Sequence, residues 1–152
     1  MYLIITSISE TLWYINSLDL EIEMNKQCIG DIRAGSGGQS LPFSPAVRAG
    51  DYVYVSGQTA MNDQGEIISG GIEVQAHKVF EIIKNILEMA GCGMEDVIKV
   101  NVWLDDTRDF AGFNSVFIKN FPKNPPARST VQSKLVVDAK IEADVVAYKT
   151  LS

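Results

Sequence analysis

Between residues 72 and 90 the apolar positions Ile72, Ala76, Val79, Ile82, Ile83, Ile86, Leu87 and Ala90 recur at intervals of three and four. Glu73, His77, Glu81, Lys84, Asn85 and Glu88 fill the opposite face. This spacing predicts an amphipathic helix, opened by Gly70-Gly71 and ended at Gly91. Further on the period falls to two. Ile98, Val100, Val102 and Leu104 alternate with Lys99, Asn101 and Trp103, which predicts a half-covered strand over 97–104. The same alternation returns over 140–148, where Ile141, Ala143, Val145 and Ala147 oppose Glu142, Asp144 and Val146. Between these strands Phe110, Phe113, Phe117 and Phe121 mark the buried stripe of a second helix, with Asp106 as its cap and Pro122 as its stop. Ala46–Ala49 and Tyr52–Ser56 flank Gly50-Asp51 as a hairpin; another strand pair is expected around Asn62-Asp-Gln-Gly65, and a strand over 128–133.

The order of elements suits an α+β domain in which two helices cover one face of a mixed sheet, with right-handed crossovers. Asn101 and Trp103 then point away from the helices. A sheet face carrying a Trp needs a cover of its own, which another subunit supplies most simply. Ala34-Gly-Ser-Gly-Gly-Gln-Ser-Leu-Pro-Phe-Ser-Pro45 reads as a flexible connection; as a phosphate cradle it lacks the following Lys-Ser/Thr. The chain therefore divides into an N-terminal extension, residues 1–33, and a single domain over 34–152. The apolar run from Tyr2 to Ile15 has no basic flank, is interrupted by Glu10, and is too short to span a membrane. It packs against the body or a neighbouring subunit, or lies upstream of a true start at Met24. A cytoplasmic address is expected.

Of the 152 residues, 46% are apolar and 21% charged, an ordinary globular balance. Thirteen Lys and Arg against nineteen Asp and Glu leave a net charge of -6. Nucleic acid and anionic membrane both call for a basic footprint, so neither is an expected partner. A small anion can still bind where a local Arg overrides the global field. Cys28, Cys92 and the one histidine, His77, have no metal-ligand spacing. Asp105, Asp106 and Asp109 read as helix caps or as a divalent-cation cluster, and the first reading is preferred. No Ser/His/Asp constellation and no nucleotide fingerprint is present.

The distinctive segment is Asn124-Pro-Pro-Ala-Arg-Ser-Thr-Val131. Two prolines stiffen the approach to a strand and set Arg128 at its start. A guanidinium held there, in an acidic chain, either makes a surface ion pair or grips a ligand carboxylate through two parallel hydrogen bonds.

Pro126-Ala127-Arg128-Ser129 followed by Lys140-Ile141-Glu142 resembles the C-terminal signature of the reactive intermediate deaminase family, also called the RidA/YjgF family. Tyr52-Val-Tyr-Val-Ser-Gly-Gln58, the helix ending in Ala90-Gly91, Asp96 to Leu104, and Asp109-Phe110 with Asn114 are similar in order and spacing. The likeness runs from about Leu41 to Tyr148. It implies a chorismate-mutase-like fold, a homotrimer with sites between subunits, and clearance of reactive metabolites by hydrolysis of enamines and imines such as 2-aminoacrylate to 2-keto acids and ammonia, without a cofactor or metal. On that likeness Arg128 binds the substrate carboxylate, Glu142 positions or deprotonates water, and Thr130 completes the catalytic set. Phe43, Ser56, Gly57 and Asn114 line the pocket. Thr130 stands where many members carry Cys, and Phe43 where many carry Tyr. These departures favour a bulkier or less polar imine. The alternatives are a non-catalytic trimer that senses 2-keto acids, or a pathway enzyme for one larger enamine acid.

Overall fold

In the chain's computed structural model residues 26–31 and 40–150 are described. Six strands, β1 Lys26–Ile29, β2 Ala46–Ala49, β3 Tyr52–Thr59, β4 Val97–Leu104, β5 Ala127–Gln132 and β6 Ile141–Tyr148, form one sheet in the order β1-β2-β3-β6-β4-β5. Every pairing is antiparallel except β4 with β5. Two helices, α1 Ile72–Met89 and α2 Phe110–Asn120, share one core with the sheet. This is the α+β arrangement the periodicity predicts.

The core lies where the two periods meet. Ala143, Val145 and Ala147 of β6 and Val100 and Val102 of β4 are buried beneath α1, whose Val79, Phe80, Ile83, Ile86 and Leu87 are almost wholly enclosed. Phe80 sits among Phe113, Phe117 and Phe121, with ring centroids 6.4, 6.0 and 5.8 Å away. Such pairs add about 0.5–1.5 kcal/mol each beyond the area they bury. Helix α1 ends as its sequence requires, at Gly91 with φ +72. The buried Arg48 of β2 closes that end, donating from Nη2 to the Ala90 carbonyl (2.7 Å) and to Cys92 Sγ (3.3 Å).

Several expectations change. Around residues 62–65 there is a turn with one bridge, Met61 to Ile67, because the Asn62 Oδ1 accepts from the backbone N–H of Gln64 and Glu66 at 3.0 and 2.9 Å and closes the chain on itself. Ile98 is 45% exposed, since a register shift between Val97 and Lys99 turns Val97 inward in its place. Phe110 is 44% exposed and leaves the buried stripe of α2. Asp106 caps the short 3-10 turn Thr107–Asp109 rather than α2, accepting from Arg108 N, and the Arg108 side chain holds its carboxyl down to about 2. Residues 26–29, inside the stretch read as an extension, form a strand on β2. The apolar run 2–15 and the Gly/Ser segment 34–39 lie outside the described residues.

The sheet face away from the helices carries Lys99, Asn101 and Trp103 of β4, as the alternation predicts. Tyr52, Tyr54 and Tyr148 extend it, each more than two-fifths exposed, with the Tyr52 and Tyr148 rings 5.2 Å apart edge to face.

Candidate active site

Strand β5 follows Pro125-Pro126 and pairs with β4 so that Arg128 lies opposite Val100 and Thr130 opposite Val102. Residues opposite each other in a ladder point to the same face, so both side chains face the helices. The Arg128 guanidinium carbon lies 4.5 Å from the Phe117 ring centroid, 5.2 Å from Phe113 and 5.7 Å from Phe110. Its Nη1 donates to Asn114 Oδ1 at 2.9 Å. Among the described residues no carboxylate pairs with it. Burial lowers its pKa, but a guanidinium stays charged at any physiological pH. Beside it Thr130 Oγ1 is shielded from solvent and has no hydrogen-bond partner among the described residues. An orphan hydroxyl of this kind costs about 1–3 kcal/mol until something bonds it.

Glu142 belongs to the other face. On β6 it stands between Thr59 of β3 and Trp103 of β4. A register shift in β3 between Val55 and Gln58 lifts Ser56 and Gly57 out of the ladder. A Cβ at Gly57 would overlap Glu142 Oε1 and lie 3.1 Å from Cδ, so glycine here leaves the space the carboxylate fills. Ser56 is tied down, its N–H donating to the Pro45 carbonyl (2.9 Å) and its Oγ to the Ser44 carbonyl (2.8 Å). Phe43, 47% exposed, immediately precedes that tie. Burial raises the pKa of Glu142, and the like charge of Asp144 raises it further. Asp144 itself accepts from Asn101 Nδ2 at 2.9 Å.

The predicted residues therefore fall into two groups. Arg128, Asn114 and Thr130 come together between β5 and α2, and Ser56, Gly57 and Glu142 come together across β3 and β6. The sheet separates them, so one chain alone does not bring Arg128 to Glu142. The aromatic bed under Arg128 and the Asp144 charge beside Glu142 escape the sequence reading. Their only signals are the i, i+4 pair Phe113/Phe117 around Asn114, and the carboxylate two residues after Glu142. No group of His, Cys, Asp and Glu suited to a metal occurs among the described residues.

Residues 38–149 match the family model described as Endoribonuclease L-PSP. The chain belongs to the RidA/YjgF family. A RutC family protein of Pyrococcus horikoshii is 44% identical over 110 residues, which is 71% of this chain and 87% of that one. A protein of Dermatophagoides farinae named 2-iminobutanoate/2-iminopropanoate deaminase is 37% identical over 107 residues, 69% of this chain and 84% of its own. The crystal structure of yeast Mmf1 superposes with a TM-score of 0.75 at 33% identity, covering 82% of this chain and 99% of that one. The RidA/YjgF match thus covers both groups of site residues. No helix among the described residues is long and apolar enough to cross a membrane. Mmf1 of Saccharomyces cerevisiae is named as mitochondrial, so relatives of this chain are not confined to the cytoplasm.

Proposed function

We propose that the protein is a hydrolytic deaminase of reactive enamine and imine acids, working as a homotrimer whose sites lie between copies. Arg128, Asn114 and Thr130 come from one copy, and Ser56, Gly57 and Glu142 from its neighbour. The observation that carries the reading is the Arg128 guanidinium, stacked on Phe117, oriented by Asn114 and unmatched by any carboxylate among the described residues. With Nη1 taken by Asn114, the Nε and Nη2 edge is left to hold a carboxylate by two parallel hydrogen bonds. The deaminase relative in Dermatophagoides farinae supports the same chemistry. Ribonuclease action fits poorly, since a net charge of -6 repels a phosphate backbone.

The steps follow from these groups. The enamine takes up a proton at its terminal carbon and becomes an iminium ion. Water adds its oxygen to the imine carbon while Glu142 accepts the water proton. Glu142 returns that proton to nitrogen, the carbon–nitrogen bond of the carbinolamine breaks with its electron pair on nitrogen while the hydroxyl proton passes to solvent, and a 2-keto acid and ammonia leave. A carboxyl whose pKa is raised by burial is the better base for this task near neutral pH. Neither cofactor nor metal is required.

Two assays test this. A dehydratase makes 2-aminoacrylate from serine while semicarbazide traps it; the protein should compete with the trap, and Arg128→Ala should not. Arg128→Ala and Glu142→Gln, each far slower than native, are then mixed after unfolding and refolded together. A site shared between copies regains about a quarter of native turnover by random assembly. A site within one chain regains none.

A further inference from the structure

Arg128 holds only one end of a ligand. Two residues further along β5, on the same face, Thr130 opens onto a pocket of about 280 Å³ lined by Leu104, Thr107, Phe110, Thr130, Val131 and Gln132. Two residues of strand advance the chain by about 7 Å, comparable with the length of a five- or six-carbon acid. Four features of the lining restrict what fits. No charged side chain is among the six. Phe110 spans both parts, walling the pocket while its ring lies 5.7 Å from the Arg128 guanidinium. Phe110 is also 44% exposed, an apolar surface that an apolar occupant would cover. Thr130 brings a methyl group, and its hydroxyl is shielded from solvent.

We propose that this pocket receives the substrate's side chain, and that it selects imine and enamine acids with uncharged aliphatic side chains of three or four carbons over 2-aminoacrylate and 2-iminopropanoate. The proposal rests on the deaminase reading for the reaction, but not for binding. A one-carbon side chain leaves most of the pocket as water against Leu104 and Phe110. A second carboxylate or an ammonium would give up its hydration and find no opposite charge in the lining. Three additional carbons, half buried in an open pocket, correspond to roughly a tenfold preference.

Imines are made in place from alanine and from leucine by an amino-acid oxidase with catalase, and kcat/KM is read from competition with semicarbazide. In parallel, calorimetry compares pyruvate, 4-methyl-2-oxopentanoate and 2-oxoglutarate as unreactive ligands of the native protein. The leucine-derived imine and 4-methyl-2-oxopentanoate should each be favoured about tenfold over their three-carbon counterparts, with 2-oxoglutarate weakest. Thr107→Trp, at an exposed position on the rim, should fill the pocket and abolish the preference while the three-carbon acids still bind. Equal treatment of both imines, preference for the smaller, or a preference unmoved by Thr107→Trp overturns the pocket while hydrolysis of the alanine-derived imine keeps the deaminase. A preference in binding with no turnover of either imine upholds the pocket and overturns the deaminase. Absence of binding and turnover alike overturns both.

Discussion

Gly57→Ala separates folding from function at this site. The glycine has no positive φ to protect, so alanine meets no backbone strain. What it meets is Glu142. The new methyl would overlap Oε1, so the carboxylate must withdraw by about 1 Å or turn to another rotamer, and the three nearest atoms all belong to that one flexible side chain. The cost to stability is therefore small, and alanine in a strand recovers roughly 0.5–1 kcal/mol relative to glycine. Melting should stay within a few degrees of native. The cost to reaction is large, because displacing a reacting group by about 1 Å costs on the order of a hundredfold in rate. Arg128 of the proposed site comes from the neighbouring copy and keeps its own ring and Asn114 contacts, so KM should change much less than kcat. The assay is the steady-state imine hydrolysis described above, run beside a thermal melt and beside Glu142→Gln. If Gly57→Ala acts through the carboxylate, the double variant Gly57→Ala/Glu142→Gln is no slower than Glu142→Gln alone. A folded Gly57→Ala within threefold of native kcat, or full additivity in the double variant, would refute the role given to Glu142.

Arg128→Lys keeps the charge but loses the fork and the stacking on Phe117; kcat/KM should fall about a hundredfold, since one of two charged hydrogen bonds worth roughly 1.5–3 kcal/mol is lost. Turnover should rise with pH through a pKa above the usual carboxylate range, because burial and Asp144 both favour protonated Glu142, and Glu142→Gln should abolish that limb in a pH–rate profile. The same raised pKa means that Glu142 favours the folded state below its unfolded pKa and loses that contribution as pH rises through the folded value. Melts should therefore show Glu142→Gln at least as stable as native at neutral pH, with the difference gone at low pH. Arg48→Met removes the buried donor that closes α1 at Ala90; it should cost about 3 kcal/mol and lower Tm by roughly 6–12 °C with little effect on kcat.

The fold was legible wherever one period ran unbroken. Over α1 and β6 every residue read as part of the apolar face is buried, because helix and strand geometry leave a side chain little choice of face, and Phe80, left out of that reading, joins them. Reading failed where something local reset the phase. A shift of one residue in β4 put Val97 inside and Ile98 out, and the apolar sequence Val97-Ile98 reads equally well either way. Phe110 has the spacing of a core residue, yet it begins α2 beside Arg128, and a guanidinium over its ring makes partial exposure acceptable. At the site, Arg128 was visible as a cation behind two prolines in an acidic chain. Its bed of rings was not, because the register of the parallel β4 and β5 pair depends on a crossover through α2 that no local motif encodes.

The separation of Arg128 and Glu142 across the sheet has its own electrostatic logic. A guanidinium and a carboxylate facing each other in one chain would pair, and the pairing would lower the carboxylate pKa and occupy the donors that the proposed function gives to substrate. Placed on opposite faces, each keeps the property its proposed role calls for. Arg128 keeps a free fork on an aromatic bed, and Glu142 keeps a pKa raised by burial and by Asp144. On the proposed assembly the two come from different copies, and the substrate's carboxylate occupies the arginine's fork. The acidity of the chain works in the same direction. Nineteen acidic residues make any exposed guanidinium prone to pairing, so an Arg that remains unmatched among the described residues does so because rings and an amide surround it.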